Sequence, residues 1–244
     1  MTETRRLYYE DVYKKEFTAT VVECRERKKG YAVILDESAF YPEGGGQPSD
    51  VGTLGDAKVT EVHEKDGELL HYTDKALEVG VKVEGKIDWA RRFDLMQQHS
   101  GEHMVSGIIH AKYGYDNVGF HMGGDVITVD LNGMLDEAQL AEIEQEVNER
   151  VWEDKEVQIT YPTAEELQAL DYRSKKELTG QVRIVTFPGV DVCACCGTHV
   201  THTGEIGMVK LLSVVKFRDG IRMEMICGKR VLDYLNMVNE QNHQ

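Results

Sequence analysis

The chain has 244 residues, enough for one large domain or two ordinary ones with a buried core. Its formal net charge of −15 argues against a broad polyanion-binding surface, because nucleic-acid-binding proteins usually carry a basic footprint. No apolar run approaches the roughly 20 residues that a membrane-spanning helix needs.

The cysteines and the first residues predict the compartment. Five cysteines, three of them within 193–196, are not typical of a disulfide framework, so reduced thiols in a cytosol fit better. Residues 1–17 are charged from Glu3 onward and lack the apolar core of a signal peptide. We therefore expect a soluble cytoplasmic protein.

Residues 1–88 are typical of β structure. Short segments that are β-branched or alternate in polarity are separated by turn signals such as Lys29-Gly30 and Asp66-Gly67. The segments are 16–24, 31–36, 58–64, 68–72 and 82–87. This spacing predicts a small barrel or sandwich.

The pattern changes near Asp88, and the remainder mixes helices with strands. Helices are predicted over 89–113, 136–153, 164–170 and from 229 onward, and strands within 116–131 and over 157–161, 182–187, 208–217 and 221–227. We therefore predict an α+β protein with two domains, a β-barrel-like domain at 1–88 and an α+β domain with an antiparallel sheet at 89–244.

Basic residues gather in three places despite the acidic total. They occur at 25–29, at Arg91 and Arg92, and between Lys210 and Arg230. These clusters are either ordinary surface charge or a local phosphate-contacting surface.

The predicted helix over 89–113 carries His99-Ser100-Gly101-Glu102-His103. Histidines at positions i and i+4 lie on one face of a helix, one turn apart. Far along the chain, Cys195 and His199 repeat the same spacing. Two histidines together with a cysteine and a third histidine form the nitrogen and sulfur set that zinc binds in tetrahedral geometry.

A Gly-rich segment at 40–52 contains Gly44-Gly45-Gly46-Gln47. Consecutive glycines allow positive φ and a close approach of the backbone to a ligand or another strand. It is not a phosphate-binding P-loop, because no Lys-Ser/Thr follows the glycines. It is either a tight barrel corner or part of a binding site.

With these motifs in view, the chain resembles the stand-alone alanyl-tRNA editing proteins of the AlaX type, which are similar to the editing domain of alanyl-tRNA synthetase. The resemblance rests on the Gly-rich segment, on the histidine pair, on Val118-Gly119-Phe120-His121-Met122-Gly123 and on the run 195–200. It implies a β-barrel-like domain followed by a zinc-binding editing domain. It also implies a zinc-dependent deacylase that acts on mischarged tRNA(Ala), with serine first and glycine as a further candidate.

The resemblance assigns roles to individual residues. The metal ligands would be His99, His103, Cys195 and His199, with Zn²⁺ as the cofactor. Cys195 matches the family position, while Cys196 stands where the synthetase pattern has glycine and is a chemically acceptable alternative ligand. His121 would bind substrate or handle a proton, and Gly44, Gly45, Gly46 and Gln47 would form a wall of the substrate pocket.

Other readings stay open at this point. Glu102 is predicted to be a solvated or second-sphere residue rather than a general base. The chain could be a deacylase for another aminoacyl-tRNA, or a module in which zinc is structural and which only binds tRNA or a synthetase. The expected partner is the acceptor end of tRNA(Ala), no membrane is expected, and the sequence leaves the oligomeric state open.

Overall fold

The computed structural model describes residues 3–174 and 180–242, and the chain divides into two compact units, Met1–Leu95 and Met96–Gln244. Among the described residues, no helix combines the length and the apolar character that crossing a membrane requires. The division into functional domains at 88/89 stays a prediction.

The first unit is built on a closed barrel. In chain order its elements are β1 (Arg5–Arg6), α1 (Leu7–Glu10), β2 (Glu16–Glu26), β3 (Tyr31–Leu35), β4 (Glu37–Ser38), β5 (Gly52–Leu54), β6 (Ala57–Lys65), β7 (Glu68–Thr73) and β8 (Lys82–Ile87). The barrel closes in the order β2-β3-β7-β6-β5-β8, and β1 pairs with β4 in parallel outside it. The predicted barrel is therefore confirmed.

Alternation of side chains fills the barrel. In β2 the apolar residues Phe17, Ala19 and Val21 are buried, and the residues between them face outward. They pack with buried residues of the neighbouring strands, including Val33, Leu35, Leu54, Val59, Val62 and Leu69. The three strands of the first unit that the sequence did not predict, β1, β4 and β5, have two or three residues each, too few to show a period.

A helix of 25 residues, α2 (Trp89–Tyr113), leads from the first unit into the second. Its bounds match the prediction of 89–113. The carboxylate of Asp88 accepts a hydrogen bond from the Arg91 N–H at 3.1 Å, which satisfies a free donor at the helix start.

The second unit combines two antiparallel sheets with helices, as predicted for an α+β fold. After α2 its elements are β9 (Asn117–Met122), β10 (Ile127–Leu131), α3 (Glu137–Trp152), β11 (Gln158–Thr160), α4 (Ala164–Ala169), β12 (Ile184–Phe187), β13 (Asp191–Ala194), a 3₁₀ turn (Thr203–Ile206), β14 (Val209–Phe217), β15 (Gly220–Cys227) and α5 (Lys229–Asn242). One sheet has the order β14-β15-β10-β9 and the other has the order β11-β12-β13.

Candidate metal centre

Four predicted ligand residues meet inside the second unit. The ligand atoms of His99, His103, Cys195 and His199 all lie within 4.8 Å of one another. The two histidines of α2 project from one face of the helix, and the cysteine and third histidine come from the loop that follows β13. All three imidazoles are buried, and Cys195 is partly buried.

Hydrogen bonds fix the loop that carries Cys195 and His199. The buried Arg183 donates to the carbonyl oxygens of Cys195 at 2.8 Å and Gly197 at 3.1 Å. At the other end of the loop, the Val200 N–H donates to the Ser100 hydroxyl of α2 at 3.1 Å. The two halves of the ligand set are therefore tied together by bonds that do not involve the ligand atoms.

The helix lies close to its neighbours because it has a glycine between its two ligands. A Cβ atom at Gly101 would come within 2.2 Å of the Cys227 sulfur, so any side chain there would push the helix away. Aromatic rings hold the imidazoles: His99 stacks on Phe120 with centroids 5.6 Å apart, and His103 stacks on Phe187 at 5.5 Å. Close packing of this kind leaves the imidazoles little freedom to rotate.

A carboxylate orients His103. Its Nδ1 lies 2.9 Å from Asp191 Oδ2, and because an ionised carboxylate only accepts, the imidazole donates through Nδ1. Arg173 donates two hydrogen bonds to the same carboxylate, at 2.7 and 2.9 Å. His103 Nε2 is then left for a metal, as in the carboxylate–histidine pairs of metalloproteins.

Sequence reasoning missed Asp191 and Arg173. Neither has a fixed spacing to the histidine pair, because Asp191 begins β13 and Arg173 lies in the segment between α4 and β12. The proximity of Asp191 to the cysteine cluster was the one available signal, because ligand histidines usually have a carboxylate or carbonyl partner.

Two of the four groups are in the protonation state that a metal ligand needs. Burial lowers the pKa of His199 to about 3, so this ring is neutral and offers a lone pair. Burial opposes ionisation of the Cys195 thiol, but the surrounding imidazoles outweigh it and hold its pKa well below the usual range. Burial likewise works against a charged His103, but Asp191 together with the neighbouring Cys193 and Cys195 outweighs it and raises that pKa, so a metal would displace the proton on this ring.

Buried nitrogen atoms support the same interpretation. His103 Nε2 and both ring nitrogens of His199 are buried and lack a hydrogen-bond partner within the described parts of the chain. Leaving such atoms unsatisfied costs roughly 1–3 kcal/mol each, and a bound cation would remove that cost for one nitrogen of each ring. Three imidazoles and a thiolate are a nitrogen and sulfur set suited to zinc, so the residues fit the predicted ion.

The neighbouring cysteines differ in their surroundings. Cys196 is exposed and stands outside the group of four. Cys193 is buried and forms a second group with His103 and Asp191. The arrangement favours Cys195 over Cys196 as the sulfur ligand.

His121 and Glu102 lie differently from the four. His121 is exposed on β9, and because adjacent side chains of a strand point to opposite faces, it leaves the sheet on the side away from Phe120 and His99. Its catalytic role stays a prediction. Glu102 is fully buried, where it accepts hydrogen bonds from Ser106 at 2.6 Å and from Asn117, so it is not solvated, and the alternative of a second-sphere residue stays a prediction.

The predicted substrate-binding residues Gly44, Gly45, Gly46 and Gln47 belong to the first unit. The Gly44 and Gln47 backbones bond to each other in both directions at 3.1 and 3.0 Å, which closes a tight turn. Gly45 and Gly46 occupy the turn with φ of 63° and 84°, where other residues are strained. The Gln47 side chain is buried, so the turn presents mainly backbone to its surroundings.

The sequence matches two families that describe parts of tRNA synthetases. The threonyl and alanyl tRNA synthetase second additional domain matches residues 182–222, and the class II (A) tRNA synthetases match residues 2–91. Each match covers less than half of the chain and shows what that part is similar to.

Three longer relatives are similar to most of this chain. Alanyl-tRNA editing protein AlaX-L of Pyrococcus horikoshii is 35% identical over 96% of this chain and 60% of its own length. Alanyl-tRNA editing protein Aarsd1 of Mus musculus is 32% identical over 92% of this chain and 59% of its own length. An alanine–tRNA ligase of Methanobrevibacter smithii is 36% identical over 98% of this chain and 28% of its own length.

The resemblance to alanyl-tRNA editing proteins that the motifs predicted is therefore confirmed. The chain spans about three fifths of the length of the two editing relatives.

Proposed function

We propose that this chain is a trans-editing hydrolase. It would cleave the ester that joins a wrong amino acid to the 3′-terminal ribose of tRNA(Ala), with serine as the main substrate and glycine as a further one, and it would act in the cytoplasm. The observation that carries the proposal is the buried group of three imidazoles and one thiol, in a chain similar to alanyl-tRNA editing proteins along nearly its whole length.

In this proposal His99, His103, Cys195 and His199 hold Zn²⁺. A zinc ion so held can polarise a substrate carbonyl or lower the pKa of a bound water. The chain's own residues supply the positioning. Asp191 keeps His103 in the tautomer that presents Nε2, and the packed rings Phe120 and Phe187 keep the imidazoles in place.

Selectivity for serine requires a particular kind of pocket. Serine exceeds alanine by one hydroxyl, so a pocket cannot exclude alanine by size and must instead hydrogen-bond the hydroxyl. A site of that kind can discriminate by about 10⁴ or more, because alanine leaves its polar groups unpaired. We propose that the turn Gly44–Gln47 contributes such groups. If Gln47→Ala changed neither serine release nor the serine/alanine ratio, that assignment would be dropped.

The test of the whole proposal is serine release from seryl-tRNA(Ala), with alanyl-tRNA(Ala) in parallel, by zinc-loaded protein. We expect serine to be released and alanine to be spared. His99→Ala is expected to abolish release together with bound zinc. His110→Ala is the matched control, because His110 is an exposed histidine of the same helix that pairs with Asp116 instead.

His121 is proposed to bind substrate or handle a proton, on the basis of its motif. His121→Gln would then slow serine release without lowering bound zinc. Unchanged release would remove His121 from the site.

Two other functions have a specific observation in their favour. The match to a domain shared by threonyl and alanyl synthetases favours a deacylase for another aminoacyl-tRNA. Four protein ligands are typical of structural zinc, which favours a module that binds tRNA or a synthetase without hydrolysis. Release of another amino acid would support the first alternative. Folded, zinc-containing protein that binds tRNA(Ala) and releases nothing would support the second.

A further inference from the structure

Three aromatic side chains form a half-buried cluster at the start of α2. The ring centroids of Tyr13 and Trp89 lie 5.3 Å apart, and those of Trp89 and Phe93 lie 5.8 Å apart. Trp89 and Phe93 share a face because they are one helical turn apart. All three residues belong to the first unit.

This cluster is separate from the hydrophobic core of the barrel. The core has its own aromatic residues, Tyr8, Phe17, Phe40 and Tyr41, which are almost completely buried. Tyr13, Trp89 and Phe93 keep part of their surface accessible and lie outside that core. Filling the barrel therefore does not explain why three large rings gather here.

A lysine side chain lies beside the rings. The Lys15 ammonium lies 4.6 Å from the centre of the Trp89 ring, within the range of a cation–π interaction. Two of the acids that lie close in sequence have partners, since Asp88 accepts from the helix backbone and Asp94 has an interaction of its own.

Accessible rings with cations beside them are the arrangement with which proteins bind unpaired nucleotides. Bases stack on the aromatic faces, and the cations bind the phosphates. An RNA would have to bind such a chain at a local surface, because the net charge of −15 gives an overall field that repels a polyanion.

We propose that Tyr13, Trp89 and Phe93, with Lys15, form a stacking surface for unpaired nucleotides of an RNA. The proposal rests on the proposed function, which makes the single-stranded 3′ end of a tRNA the natural occupant. It assigns this part of the first unit to substrate binding and leaves the hydrolytic step to the second unit.

The chain offers a direct optical test, because it contains two tryptophans, Trp89 and Trp152. In a Trp152→Phe variant, Trp89 is the sole tryptophan and reports on its own surroundings. The probe is an uncharged hairpin RNA with a short unpaired 3′ tail, and the control is the same hairpin with a blunt end. Saturable quenching by the tailed hairpin alone is expected. Equal responses to both hairpins, or no response, would overturn the proposal.

Substitutions give a second readout. Stacking is worth about 1–3 kcal/mol per base, so Trp89→Ala is expected to weaken binding of the tailed hairpin by roughly 5- to 150-fold, while Trp89→Tyr keeps most of the affinity. The matched control is Trp152→Ala, since Trp152 is an exposed tryptophan on the acidic helix α3 and should not matter. If Trp89→Ala fails to fold, Lys15→Ala tests the same surface and should reduce the salt dependence of binding.

These outcomes separate this inference from the proposed function. Quenching and loss of affinity without any serine release would support the stacking surface and refute the hydrolase. Serine release with an unchanged KM in Trp89→Ala would refute the stacking surface and leave the hydrolase intact.

Discussion

A buried ion pair should anchor the Gly-rich segment, and its loss should destabilise the first unit strongly. Arg92 and Asp50 are both completely buried, and Arg92 Nε lies 3.0 Å from each carboxylate oxygen of Asp50. Arg92 also donates to the carbonyl oxygens of Val12 at 2.9 Å and Ala39 at 2.7 Å, and Asp50 accepts from the Tyr41 N–H at 2.7 Å. The pair therefore joins α2 to both ends of the segment.

We expect Asp50→Asn to lower the free energy of unfolding of the first unit by about 3–5 kcal/mol. The amide has nearly the same shape as the carboxylate but leaves the Arg92 charge buried without a counter-charge, and removing one partner of a buried pair typically costs that much. With a slope of about 1.5 kcal/mol per M of urea, the midpoint should fall by roughly 2–3 M.

The assay is urea unfolding of the Trp152→Phe variant, in which Trp89 fluorescence follows the first unit. Asp56→Asn is the matched control, since Asp56 makes an exposed pair with Lys75 at 2.8 Å and belongs to the same unit. It should leave the midpoint unchanged. Equal midpoints for the two variants would refute the reasoning, because burial would then not distinguish the two pairs.

Three further predictions concern buried titratable groups and the metal site. Burial lowers the pKa of His71 from 6.5 to about 4, so the folded first unit holds this ring neutral, and about 3 kcal/mol of its free energy of unfolding should be lost as the pH falls from above 6.5 to 4. His71→Gln should flatten this pH dependence in urea unfolding. A profile that kept its slope would contradict the assignment. Cys195→Ser should remove bound zinc, measured by elemental analysis, whereas Cys196→Ser should retain it, and the reverse result would assign the sulfur ligand to Cys196. Asp191→Asn should weaken zinc binding by about 10- to 100-fold in a chelator competition, because His103 loses the carboxylate that orients it; unchanged affinity would show that packing alone orients the ring.

Periodicity explains which parts of the fold were predictable. The helix 89–113 and the first half of strand β2 show several repeats of one period, so their position follows from the sequence. Strands β1, β4 and β5 have two or three residues, and their pairing depends on closure of the barrel rather than on local pattern.

The same reasoning separates the predictable part of the site from the rest. The histidine pair was visible because a helix converts a spacing of four into proximity. His103 contacts Asp191 and Phe187 only in the folded chain, and Arg173 binds Asp191 in the same way. Their spacing in the sequence therefore does not predict these contacts. His121 shows the opposite case, because its motif is evident in the sequence while the strand turns its side chain away from the cluster.

The origin of the four ligand atoms bears on how the protein is made. His99 and His103 lie near the start of the second unit, whereas Cys195 and His199 lie late in it, so most of that unit separates the two pairs. On a ribosome the histidine pair would emerge long before its partners, and a nascent chain could not complete the centre until residue 199 had left the exit tunnel. Contacts between such distant residues form slowly. If the four residues hold a metal as proposed, its acquisition is a late event in the synthesis of each molecule, and chains that stop short of residue 195 should leave the ribosome without a tight site.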